Sequence, residues 1–164
     1  KDQNERKVLL AGKVEDMINT VIRQIAFYDF ECKLHEARKA GELTPDDINA
    51  LWMSVQGESL GPAFEFMDGY ETFWAYIPHF VHSPFYVYAY AFGDGLVNAL
   101  YAVYEASPDG FQDKYFDMLK AGGSQHHKDL LAPFGLDASD PKFWQQGLTM
   151  ISSMIDELEA METP

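Results

Sequence analysis

One cysteine, Cys32, stands in 164 residues, so no internal disulfide ties the chain together. That agrees with a reducing, cytoplasmic setting. Basic residues are scarce: 12 Lys and Arg stand against 26 Asp and Glu, a formal charge of -14. Such a surface repels nucleic acid and anionic membrane, so neither is expected as a partner. No stretch alternates with period two, which excludes a β-rich fold. There is no internal repeat and no low-complexity segment. The polar, mixed-charge start Lys1-Asp2-Gln3-Asn4-Glu5-Arg6-Lys7 is not a signal peptide. It also lacks a methionine, and the chain reads as a piece of a longer protein. The most apolar run, Phe85 to Tyr104, does not read as a membrane span. Gly93-Asp94-Gly95 and Asn98 interrupt it, tyrosines occur along its whole length, and no Lys or Arg flanks it closely.

Apolar residues make up 47% of the chain, enough for a real core. The pattern predicts an all-α fold and a single helical unit over 1–164. A long first helix is expected from about Glu5 to Ala40. Its inward stripe is Val14, Met17, Ile18, Val21, Ile22, Ile25, Tyr28 and Cys32. Gly41 ends it. Thr44-Pro45-Asp46-Asp47 supplies an N-cap, a proline at the first position and an acidic first turn. The second helix then carries Ile48, Leu51, Trp52 and Val55 inward. A loop over Gly61–Gly69 and a short helix from about Glu71 to Tyr76 follow. A helix is expected from Pro84 to about Ala106, and an amphipathic one from Phe111 to Ala121. Ser124 is expected to cap a short helix ending near Gly135. Asp140-Pro141 opens the last helix, to about Ala160.

The segment from Ile77 to Tyr90 carries the most chemistry. His79 and His82 lie between Pro78 and Pro84, and Tyr86, Tyr88 and Tyr90 follow at once. Ser83-Pro84 reads as a cap and first helical residue, so free N–H groups would face back toward the histidines. Imidazoles, phenols and a positive helix end suit a developing negative charge. On a regular helix Tyr86 and Tyr90 share a face, while Tyr88 lies nearly opposite. No nucleophile–base pair and no metal-ligand set accompanies them.

Five stretches, in this order, carry a family likeness. They are Val21-Ile22-Arg23-Gln24-Ile25-Ala26-Phe27-Tyr28-Asp29-Phe30-Glu31, Gly41-Glu42-Leu43-Thr44, Trp74-Ala75-Tyr76-Ile77-Pro78-His79-Phe80, Phe85-Tyr86-Val87-Tyr88-Ala89-Tyr90-Ala91 and Leu119-Lys120-Ala121-Gly122-Gly123-Ser124. The chain resembles the C-terminal part of oligoendopeptidase F, a zinc metallopeptidase related to thimet oligopeptidase. The resemblance implies a mostly helical, two-lobed enzyme that cleaves short peptides in a deep channel. It implies one zinc, held by H-E-x-x-H and a glutamate on a following helix. No H-E-x-x-H occurs in this sequence, and in the family it precedes the Arg23–Tyr28 region. The chain by itself is therefore expected to hold no catalytic zinc and to hydrolyse nothing. Resemblance makes His79 and Tyr88 the catalytic candidates, as oxyanion donors, and His82 and Tyr86 the substrate-binding ones.

Other polar groups have plainer readings. Glu31 and His35 share a helical face and read as an exposed pair. His126-His127 reads as surface or helix-start residues, and Gly122-Gly123-Ser124 as a helix end followed by a cap. Asp94, between glycines, faces a polar channel or pairs outside the chain. The alternative to the enzyme is a non-catalytic helical module that binds peptides or proteins. Its supports are the aromatic content, the acidic surface and the missing motif. Exposed apolar faces of the long helices make self-association a further expectation.

Overall fold

The computed structural model describes residues 3–162. Lys1 and Asp2, part of the polar start, lie outside them, as do Thr163 and Pro164. The fold is all-α, with no strand among the described residues. Its helices are α1 (Gln3–Thr20), α2 (Ile22–Ala40), α3 (Pro45–Leu60), α4 (His79–His82), α5 (Tyr88–Ala106), α6 (Phe111–Ala121), α7 (His127–Leu131) and α8 (Pro141–Glu162).

The expected long first helix is interrupted at Val21, whose φ of -102° and ψ of -69° depart from helical values. Thr20, Val21 and Ile22 are consecutive β-branched residues, each crowded against the preceding turn. The Ile25 N–H still donates to the Val21 carbonyl at 3.0 Å. The inward face changes across this break. Before it Val14 and Met17 are buried, as is Val21 itself; after it, Ala26, Phe27, Phe30 and Glu31 are. Ile25 and Tyr28, expected inward, are 50% and 37% exposed. One uninterrupted period over both helices therefore assigns the second half to the wrong face.

α3 starts as its sequence dictates. The Asp47 N–H donates to Thr44 Oγ1 at 3.3 Å, and the Thr44 N–H donates to Asp47 Oδ2 at 2.8 Å. This reciprocal pair satisfies two N–H groups that the first turn would leave open. The Thr44 hydroxyl and N–H hold the Asp47 carboxyl below the usual aspartate range.

Contacts divide the described residues into two compact units, 18–92 and 3–17 with 93–162. The first is built around Trp52, fully buried, with Phe30 and Phe27 at ring separations of 5.2 and 5.5 Å. Its indole N–H donates to the Tyr70 carbonyl at 3.0 Å, where a 3-10 stretch from Tyr70 to Tyr76 begins. Val55 and Val87 complete this core. The second unit packs around Ala99, Leu131 and Phe143. There Gly95 meets Trp144 so closely that a Cβ would lie 3.0 Å from its ring carbons. The Asp140 carboxylate accepts the Lys142 N–H at 2.9 Å and so starts α8 as expected. Ser124 does not cap α7. Its hydroxyl donates to the Ala121 carbonyl at 2.7 Å, and the His126 ring accepts the Lys128 N–H at 3.3 Å instead.

Candidate functional site

His79 and His82 do not sit in a plain turn. They are the first and last residues of α4, a single helical turn following Pro78. The helix expected from Pro84 begins only at Tyr88. Phe85 has φ +58°, the left-handed region, which no right-handed helix accommodates. Its N–H donates to Glu31 Oε1 at 2.9 Å, and the Tyr86 N–H donates to the Ser83 carbonyl at 3.2 Å. The amides expected to face the histidines are thus already engaged.

The turn over Ser83–Val87 sorts the tyrosines. Val87 is buried in the core, so its neighbours Tyr86 and Tyr88 turn outward. Tyr86 lies parallel to the His79 ring, with centroids 6.4 Å apart. Tyr90 meets both edge-on, each at 5.9 Å. His79 Nε2 and the Tyr90 hydroxyl are 3.1 Å apart, a hydrogen bond whose direction follows the histidine tautomer. With the ring proton on Nε2, histidine donates to the phenol oxygen and the phenol proton is free for a carbonyl. Tyr86 and Tyr90 are 54% and 41% exposed, so an incoming group can reach them.

The remaining candidates lie apart from this cluster. Tyr88 packs edge-on against Tyr28 at 5.7 Å. The Tyr28 phenol is pushed up from its ordinary pKa, chiefly by its hydrogen bond with Cys32. His82 is exposed at the far end of α4. The structure therefore brings together His79, Tyr86 and Tyr90, and leaves Tyr88 and His82 outside the group.

Glu31, like Ile25 and Tyr28, lies on the opposite side from the one its sequence suggested. It is not half of an exposed pair but fully buried. His35 stacks its ring on Phe85 at 4.7 Å. The signal was present: Phe27, Phe30, Glu31 and Leu34 form one apolar stripe at helical spacing, and an acid interrupts it. Left-handed backbone costs a non-glycine residue about 1–2 kcal/mol. A typical hydrogen bond within a protein contributes about 0.5–1.5 kcal/mol net. The bond to Glu31 thus offsets strain of similar size at Phe85.

Other polar groups are committed elsewhere. A cleft of about 570 Å³ is lined by Cys32, His35, Glu36, Arg38, Lys39 and Phe85. Two of its cations already have partners, since Arg38 donates to the Gly41 carbonyl and Lys39 pairs with Glu36. Asp94 accepts from the Asn98 amide at 2.8 Å. Among the described residues no three His, Cys, Asp or Glu side chains gather to hold a metal ion. Among them, too, no helix is long and apolar enough to cross a membrane.

Peptidase family M3 matches residues 1–150. Oligopeptidase PepF of Bacillus subtilis (strain 168) is 30% identical over 161 residues, covering 98% of this chain and 24% of that protein. The plasmid oligoendopeptidase F of Lactococcus lactis subsp. cremoris is 32% identical over 164 residues, covering 98% and 27%. The crystal structure of oligoendopeptidase-F from Enterococcus faecium superposes with a TM-score of 0.89 at 25% identity, covering 98% of this chain and 31% of that one. The chain thus spans about a quarter of the length of the curated relatives it matches.

Proposed function

Because the chain belongs to Peptidase family M3, we propose that it is the C-terminal portion of a zinc-dependent oligoendopeptidase acting on short peptides in the cytoplasm. In this reading the longer protein supplies the zinc, and this chain supplies one wall of the substrate channel. The described residues do not fit a zinc ion: they gather no donor set for it. Zinc, bound elsewhere, would polarise the scissile carbonyl and activate water.

The observation that carries the reading is the His79–Tyr90 hydrogen bond on an exposed aromatic surface. The proton that this pair leaves free, on the phenol or on imidazole Nδ1 according to the tautomer, is the donor that a substrate carbonyl needs as it gains negative charge. Tyr90 orients the ring of His79, and Tyr86 provides a parallel face for an extended peptide to lie against. Tyr88 and His82 contact substrate further along the surface in this proposal. A donor of this kind is worth about 3 kcal/mol in the transition state.

The test compares the longer protein with this chain. Bound zinc and cleavage of a quenched fluorescent peptide are measured in both. The longer protein should contain zinc and cleave the peptide; this chain should do neither. Zinc-dependent cleavage by the chain alone overturns the division of labour.

A further inference from the structure

We propose that Glu31 is a positioning residue: its buried carboxylate fixes the turn that places Tyr86 against His79. The inference rests on the reading of that cluster as a substrate-holding surface.

Glu31 has no exposed surface, a costly place for a carboxylate without compensating partners. It sits on the core stripe of α2, where an apolar residue would fill the same space. Only one of its oxygens is used. Oε1 accepts the Phe85 N–H at 2.9 Å, from a residue 54 positions away. Oε2 has no hydrogen-bond partner. The acid therefore provides one thing that a Leu or Met would not: an acceptor aimed at a single backbone amide.

That amide belongs to Phe85, the one described non-glycine residue with positive φ. Its ring is set between Tyr28 at 6.2 Å and His35 at 4.7 Å. Two positions later Val87 is 1% exposed and packed in the core. Glu31 and Val87 therefore grip the chain on either side of Tyr86. The Tyr86 ring is exposed, and its place beside His79 is inherited from these two anchors. If Phe85 relaxed to negative φ, the Tyr86 side chain would swing off the His79 ring. Glu31 thus acts on the cluster through Phe85 and touches no reacting group.

Two sets of measurements test this. In this chain, amide exchange and ring-to-ring NOEs are read by NMR. The Phe85 amide should exchange slowly in the wild type. In Glu31→Met it should exchange at least about tenfold faster, because its acceptor is gone. The Tyr86–His79 NOE should fade, while the amides of Trp52 and Val55 keep their protection. Adding Phe85→Gly to Glu31→Met should restore the NOE, because glycine holds positive φ without strain. A purely structural role in the core would not be rescued in this way. Should Glu31→Met fail to fold, Glu31→Gln decides. It retains an oxygen acceptor and should keep the NOE with weaker Phe85 protection. An unprotected Phe85 amide in the wild type, or an unchanged NOE in Glu31→Met or loss of it in Glu31→Gln, overturns the proposal.

In the longer protein, Glu31→Met should lower kcat by about tenfold to a hundredfold, as misplacement of a binding group does, with KM within about twofold. The Phe85→Gly double variant should recover part of that loss. If His79→Ala leaves turnover intact, the functional reading fails and the NMR result stands. If His79→Ala abolishes turnover and Glu31→Met does not alter it, the positioning role alone fails.

Discussion

His79 Nε2 lies 3.1 Å from the Tyr90 hydroxyl, although eleven positions separate the two residues. α4 presents the histidine and the first turn of α5 presents the phenol. In the proposed role this pair meets the substrate carbonyl. Replacing His79 by Ala in the longer protein should lower kcat by about a hundredfold, equivalent to about 3 kcal/mol. KM should change little, because the interaction strengthens only as charge develops. Steady-state kinetics with one peptide substrate checks this, and a kcat near the wild-type value would remove His79 from the mechanism.

The tyrosines are separable by the same measurement. Tyr90→Phe removes the hydroxyl bonded to His79 and should cost about tenfold or more in kcat. Tyr88→Phe leaves the ring packed on Tyr28. The resemblance makes Tyr88 a catalytic candidate, whereas the geometry favours Tyr90. If Tyr88→Phe is the more damaging change, the donor is Tyr88 and the observed cluster serves binding alone.

How far these features were legible depends on how local their causes are. Thr44-Pro45-Asp46-Asp47 and Asp140-Pro141 read correctly, because a cap is completed within a few residues. Ser83-Pro84 has similar letters and fails as a helix start. What decides it is the bond from Phe85 to Glu31, which no local rule contains. The break at Val21 likewise turns the stripe of α2, so Glu31 comes inward while Ile25 goes out. The separation of Tyr88 from Tyr86 and Tyr90 was legible. It arises, however, from an irregular turn anchored by Val87 rather than from helical period.

Two glycines of α5 should respond oppositely to alanine. At Gly95 a Cβ would stand 3.0 Å from the Trp144 ring, so either the indole or the helix must shift. Such overpacking costs about 1–3 kcal/mol. At Gly93 nothing lies within 4 Å of the added carbon, and alanine should stabilise the helix by about 0.5–1 kcal/mol. Urea denaturation of the two variants checks the contrast. Equal midpoints would mean that the Gly95–Trp144 contact yields without strain.

Acid should weaken the start of α3. The Thr44 hydroxyl and N–H hold the Asp47 carboxyl below its ordinary value. A lowered folded-state pKa adds stability above the unfolded value, and this is lost as pH falls through the folded one. The loss therefore occurs below the ordinary aspartate range. Thr44→Ala removes the side-chain half of the cap and should cost about 1 kcal/mol near neutral pH. The difference between wild type and variant should shrink as Asp47 is protonated. Thermal melts of both proteins from neutral pH downward test the sign; a difference that grows with acid contradicts it.

Self-association is the proposed fate of the apolar surface of the second unit. Val97, Leu100, Tyr101, Tyr104, Phe111, Gln112, Tyr115 and Phe116 line a groove of about 480 Å³. Val97 is 63% exposed and Phe116 55%. In relatives about four times as long, other segments are available to cover such a face; for this chain a second copy is the proposed cover. A stable pair would bury about 800 Å² on each partner, and the exposed apolar side chains of α6, Phe116 and Leu119 among them, offer contacts for that purpose. Sedimentation velocity should give a weight-average mass that rises with concentration. Phe116→Glu places a charge in the interface and should shift the rise to higher concentration without altering the helical signal. A wild-type chain that stays monomeric across the range would leave this groove without a role in self-association.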